Sequence, residues 1–188
     1  MYRHLFPIAL MLPMSAVRTH ARRYASLAIF AGVTTVAGCS LDGGGSTLPP
    51  VSDPATQTYG AETGVTIANM TRVSPQLYTQ DVVVGTGRSV AVGDSISVFY
   101  SGRLTSGFQF DANVAPAAPV SFVLDTTRLI KGWVNGLPNA RVGGTRRMVI
   151  GPSLAYGYNP QADRNGRVTI PRNSVLVFDV QIVSAVAR

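Results

Sequence analysis

An α+β fold is predicted for this chain: a curved antiparallel sheet of five to six strands wrapped around one short helix. Two observations carry the prediction. Five segments, 79–84, 94–104, 120–124, 144–150 and 175–183, are rich in β-branched and aromatic residues, and several alternate polar with apolar as strands with one buried face do. One segment between them breaks that pattern. From Thr127 to about Ala140, Leu129, Trp133 and Leu137 recur every fourth residue and would share one face of a helix. A sheet of this size with a single helix implies two layers, the sheet curling over the apolar side of the helix.

The first element along the chain is an address. After Met14 comes a basic stretch with Arg18, Arg22 and Arg23, then the apolar run Ala25–Ala37, then Gly38 and Cys39. This is the order of a secretory signal. At 13 residues the apolar run is shorter than the roughly 20 that a membrane-spanning helix needs. The stretch before Met14 adds nothing to such a signal, so translation is expected to start at Met11 or Met14. Arg22-Arg23 sits in flanks that fit twin-arginine export badly, and general secretion is expected.

Residues 39–76 follow as an expected linker. From Ser40 to about Thr58 the composition is mostly Gly, Ser, Thr, Pro and Asp, with almost nothing to bury, and it predicts a flexible tether. It holds no heptad pattern that would make a dimerising arm, so a monomer is expected. The folded domain is expected at 77–188. Within it, Asp125 or Thr126 is available to cap the helix, and Pro138 marks its end.

Residue inventory narrows the chemistry. The formal charge of +7 is concentrated before Cys39; after it, 12 basic residues stand against 9 acidic ones, a net +3. The basic residues there are scattered, which excludes a nucleic-acid surface. His4 and His20 are the only histidines and both precede Cys39, the only cysteine. The folded part therefore has no imidazole or thiol for nucleophilic catalysis, no histidine-ligated metal site and no disulfide. Glu62 is the sole glutamate, which leaves paired-carboxylate hydrolysis with little support.

Two resemblances give these features a meaning. The segment Val36-Ala37-Gly38-Cys39 resembles a bacterial lipobox, which implies a signal peptide at 1–38 and a lipid on Cys39. It places the protein on the periplasmic side of a bacterial membrane. Ser40 lacks the aspartate associated with inner-membrane retention, so the outer membrane is favoured. The second covers nearly all of 77–188. The motifs Val82–Arg88, Val98–Gly102, Gly107–Asp111, Leu129–Gly136, Leu154–Gly157, Ile170-Pro171 and Val175–Val180 stand in the order and near the spacing of an FKBP domain, and the chain resembles that family of peptidyl-prolyl cis/trans isomerases.

Carried over position by position, the resemblance implies a proline pocket with Tyr100, Phe110, Asp111, Trp133, Tyr156 and Phe178 as catalytic residues and Val120, Leu129, Ile130 and Ile170 as substrate-binding ones. Trp133 would be the floor, with Tyr100, Phe110 and Phe178 around it. The Tyr156 hydroxyl and the Ile130 N–H would donate to substrate carbonyls, and Asp111 would be a polar wall. Proline-containing polypeptides are the implied partners, with a macrolide as inhibitor. No cofactor or metal is implied, because rotation about an amide breaks no covalent bond. Its barrier of about 18 to 20 kcal/mol is lost resonance, and an apolar cavity disfavours the dipolar planar amide more than the twisted one.

The chain departs from the family in three places. Val120 stands where a bulky aromatic is common, which predicts a wider wall. Residues 113–118 lack the arginine that pairs with the pocket aspartate. The loop Tyr158–Thr169 is longer, by about five residues, and is expected to overhang the site. Two other functions are open on the same residues: a non-catalytic periplasmic chaperone or peptide-binding module, and a carbohydrate-binding lipoprotein, since aromatic walls also stack on sugars.

Overall fold

The computed structural model describes residues 48–188. The expected signal peptide and Cys39 lie outside the described residues. The strands are β1 (Thr71–Ser74), β2 (Leu77–Val83), β3 (Ser95–Leu104), β4 (Gln109–Asn113), β5 (Val120–Val123), β6 (Thr145–Ile150), β7 (Gln161–Ala162), β8 (Val168–Ile170) and β9 (Leu176–Val186), with one helix, α1 (Lys131–Gly136).

Seven of these strands make one antiparallel sheet in the order β1-β2-β6-β9-β3-β4, with β5 also on β3. The ten-residue β3 explains the count exceeding the expected five to six. One edge of β3 pairs along its whole length with β9. Its other edge is shared by two short strands, Ser95–Val98 with β5 and Tyr100–Arg103 with β4. The remaining addition, β1, precedes the expected start of the domain.

The helix is shorter than its apolar period predicts. Asp125 accepts hydrogen bonds from the Thr127 N–H at 2.9 Å and the Thr127 hydroxyl at 2.5 Å, which closes a turn there instead of capping a helix. Ile130 is extended at the N-cap position, and Leu137 ends the helix one residue before Pro138. Gly132 and Gly136 let α1 lie close on the sheet: a Cβ at Gly132 would stand 2.4 Å from Ile150 Cγ2, and one at Gly136 2.6 Å from Met148 Sδ. Trp133, Val134 and Leu137 then close a core with Leu77, Ile96, Val98, Met148, Leu176 and Ile182 on the inner face of the sheet.

The opposite face is covered as well, and this corrects the tether expectation for residues 48–76. Three short 3-10 turns, Pro54–Thr56, Ala61–Thr63 and Ile67–Asn69, carry the chain across it. Tyr59, Val65, Ile67 and Met70 pack there on Tyr78, Val149, Val175 and Val177. The sheet contributes the apolar side chains Tyr78, Val149, Val175 and Val177 to this contact, so the few apolar residues of a polar segment find a surface large enough to offset their ordering. Hydrogen bonds hold the start of the segment. The Ser52 N–H donates to Asn173 Oδ1 at 3.0 Å, and the Asn173 amide donates to the Pro50 carbonyl at 3.0 Å. Gln76 donates to the Ser52 carbonyl at 3.3 Å, and the Tyr158 hydroxyl to that of Pro49.

Candidate active site

Between α1, the sheet and the loop after β6 lies a cavity of about 840 Å³. Its floor is the Trp133 indole, 5% exposed. Three rings stand edge-on around that indole. Tyr100 from β3 is 5.5 Å away at 81°, Phe122 from β5 is 5.5 Å away at 64°, and Phe178 from β9 is 5.4 Å away at 84°. The result is an apolar box open on one side, its walls taken from three strands whose side-chain alternation aims them inward.

Polar groups sit at the rim. The Tyr100 hydroxyl donates to Asp111 Oδ2 at 2.7 Å, across the β3–β4 ladder. Burial and this bond push the Tyr100 hydroxyl well above the ordinary tyrosine range. The Tyr156 hydroxyl is also pushed up, first by burial and then by the Asp111 charge, so it stays a donor at neutral pH. Among the described residues it has no hydrogen-bond partner, and neither does the Ile130 N–H at the start of α1. Two unengaged donors therefore face a cavity whose floor and inner walls are aromatic.

The loop that presents Tyr156 is held from three sides. The Gly157 N–H donates to the Pro152 carbonyl at 2.9 Å, and the Asn173 N–H to that of Gly157 at 2.7 Å. Gly157 has φ of +59°, which only a residue free of Cβ crowding adopts readily. Ser153 reaches Gln76 at 3.3 Å.

The structure brings together Tyr100, Asp111, Val120, Leu129, Ile130, Trp133, Tyr156 and Phe178 on one cavity. Two expected members are not on its lining. Phe110 stands against Phe178, ring to ring at 5.6 Å and 82°, because glycine at 102 leaves the space between β3 and β9 for both rings. Ile170 at the end of β8 is buried in the core, 5% exposed. The sequence reading missed Phe122. It lies two residues after Val120 on β5, hence on the same face, and it supplies the aromatic that Val120 lacks. The expected overhang of residues 158–169 is corrected too: none of them lines the cavity, because Gln161–Ile170 folds on itself as the β7–β8 hairpin.

Comparisons with known proteins agree with this geometry. Residues 86–183 match the family model described as FKBP-type peptidyl-prolyl cis-trans isomerase. The chain is 44% identical over 103 residues to FK506-binding protein 4 of Chaetomium thermophilum, covering 55% of this chain and 20% of that protein. It is 38% identical over 108 residues to FK506-binding protein 1A of Neurospora crassa, covering 57% of this chain and 85% of that one. The crystal structure of FkpA from Escherichia coli superposes with a TM-score of 0.53 at 38% identity, over 62% of this chain and 51% of that chain. The match spans only 19% to 38% of the length of the first curated relatives.

Proposed function

Because the chain belongs to the FKBP-type peptidyl-prolyl cis-trans isomerase family, we propose that its cavity isomerises X-Pro bonds in exported polypeptides, from a domain anchored by lipid on Cys39 at the periplasmic side of a bacterial membrane. One observation carries the catalytic reading: an indole floor ringed edge-on by Tyr100, Phe122 and Phe178, with the Tyr156 hydroxyl and the Ile130 N–H unengaged beside it. The prolyl ring lies on the indole. The two donors hold the carbonyls on either side of the ring, so the chain is fixed while the amide between them turns.

Neither a proton nor a covalent bond is exchanged. The planar amide is the more dipolar state and loses more on leaving water for an aromatic box, which lowers the barrier to the twisted state. Asp111 holds the Tyr100 ring by its hydroxyl and so keeps one wall in place. The uncatalysed step takes tens to hundreds of seconds, long enough to delay the folding of an exported protein. Two features favour a binding-only role, Val120 and the missing arginine at 113–118, and Phe122 on the Val120 wall weighs against the first of them.

The test is cis/trans exchange of an X-Pro peptide followed by NMR, with residues 46–188 and with FK506, the ligand named in the relatives above, as competitor. Acceleration that FK506 abolishes is expected. Tyr156→Phe removes one donor to the turning chain and should lower kcat/KM about tenfold, the worth of about one hydrogen bond, with little change in stability. An unchanged rate in that variant would remove Tyr156 from the site. No acceleration by a folded domain would overturn the isomerase reading.

Anchoring rests on the lipobox-like segment and the basic-apolar order before it. Cys39→Ala should move the protein from the membrane to the soluble fraction. A wild-type protein that is processed, soluble and unlabelled by radioactive palmitate would break the anchoring claim and leave the catalytic one standing.

A further inference from the structure

The β7–β8 hairpin is the part of the domain that the isomerase reading does not use. It contributes nothing to the cavity, yet it is well built. Asp163 Oδ1 accepts from the N–H groups of Asn165 and Arg167 at 2.9 and 3.0 Å, and the Asp163 N–H closes on the Arg167 carbonyl at 2.9 Å. Gly166 at φ +78° completes the turn.

Its charges differ from the ion-paired ones of the domain, and among the described residues no other stretch gathers three arginines without an acidic partner within nine positions. Arg88, Arg146 and Arg147 are each paired with an aspartate. Arg164, Arg167 and Arg172, in and just after the hairpin, are exposed, and their side chains donate to no group of the described residues. The single acid among them, Asp163, is engaged in the turn. Val168 beside them is 52% exposed.

The hairpin also marks the place where the chain enters the domain. Tyr158 before it bonds to Pro49, and Asn173 after it bonds to Pro50 and Ser52, so residues 49–52 lie across its base. Leu48 and Val51, in and beside that crossing, are 62% and 44% exposed. Only eight residues separate Leu48 from Cys39, and a chain of that length reaches at most about 30 Å.

We propose that the hairpin arginines Arg164, Arg167 and Arg172, with Leu48, Val51 and Val168, form a docking surface for anionic phospholipid headgroups. The proposal rests on the anchored reading above. A lipid on Cys39 would hold this end of the domain near the bilayer, and cations without protein partners are the groups that a phosphate surface attracts. Docking would fix the domain at the membrane by the face where its chain enters, and the aromatic cavity shares no residue with that face.

The experiment uses residues 46–188, which hold both cores and lack Cys39, so that no lipid anchor enters the result. Sedimentation is measured with phosphatidylcholine vesicles, with and without phosphatidylglycerol. Binding only to the anionic vesicles, weakening as salt rises, is expected. Each Arg→Ser change at 164, 167 or 172 should weaken it about fivefold and the triple variant about a hundredfold. Arg72→Ser on β1 should leave it unchanged. No binding, equal loss in the Arg72 variant, or a triple variant that binds like wild type would overturn the proposal. Tighter salt-sensitive binding to an acidic unfolded protein than to vesicles would overturn it in favour of a polypeptide partner. Failure of the anchor would instead show as unlabelled Cys39 in cells with the vesicle result intact.

Discussion

The two faces of the sheet are both buried, but by unlike means. The inner face meets one helix and an aromatic box, and its residues come from strands whose alternation is plain. The outer face meets three 3-10 turns with no period at all, tied down by Met70, three half-buried apolar side chains and a few polar bonds. The contrast separates two jobs. A site needs side chains aimed at one point by regular backbone, whereas a cover needs only enough apolar contact to exclude water.

The largest effect that follows is on the cover. A chain beginning at Leu77 keeps every residue of the cavity but loses β1, Met70, Tyr59, Val65 and Ile67, and bares Tyr78, Val149, Val175 and Val177. At about 1.5 to 3 kcal/mol for a fully buried apolar side chain, and less for the half-buried ones, the loss is at least about 5 kcal/mol. That is comparable with the whole stability of a small domain. Urea denaturation of residues 77–188 against residues 46–188 measures it. Equal midpoints would mean that the outer face needs no cover.

This is also where sequence reading reached its limit. Strands β2, β3, β6 and β9 and the cavity residues Tyr100, Trp133, Tyr156 and Phe178 were legible, because alternation and ordered motifs both pointed to them. The cover was not, since Gly, Pro and Thr between sparse apolar residues look the same in a tether and in a string of short turns. A signal existed elsewhere. Val175-Leu176-Val177-Phe178 is an unbroken apolar run, and such a run reads as a strand buried on both faces. Something had to lie over Val175 and Val177. The helix was drawn too long for a related reason, because periodicity cannot see that Asp125 spends its carboxylate on the Thr127 turn. Phe122 was overlooked although its spacing from Val120 puts both on one wall.

A second test sharpens the contrast from the inner side. Gly102→Ala places a Cβ 2.7 Å from the Phe110 ring and 2.8 Å from Phe178. Both rings must shift to admit it, and overpacking of this kind costs about 1 to 3 kcal/mol. Phe178 is a wall of the cavity, so kcat/KM should fall about tenfold at temperatures where the variant is folded. A variant that loses stability but turns over like wild type would show that the edge-on arrangement around Trp133 tolerates displacement.

The smallest test probes the outer face by charge. Arg147 on β6 forks onto Asp179 of β9 at 2.7 and 2.9 Å and also donates to the Gly64 carbonyl, joining two strands and the cover through one guanidinium. Lysine brings a single ammonium without the fork and cannot keep all three bonds. Arg147→Lys should therefore cost about 1 kcal/mol, the net worth of a hydrogen bond or so in a partly exposed site, seen as a lower urea midpoint with an unchanged slope. The isomerase rate should not move, since no bond of Arg147 leads to the cavity. A fall in kcat/KM with the fold intact would mean that Arg147 and Phe178, which face opposite sides of the sheet on neighbouring strands, are coupled through the backbone, and that cover and site are one mechanical unit.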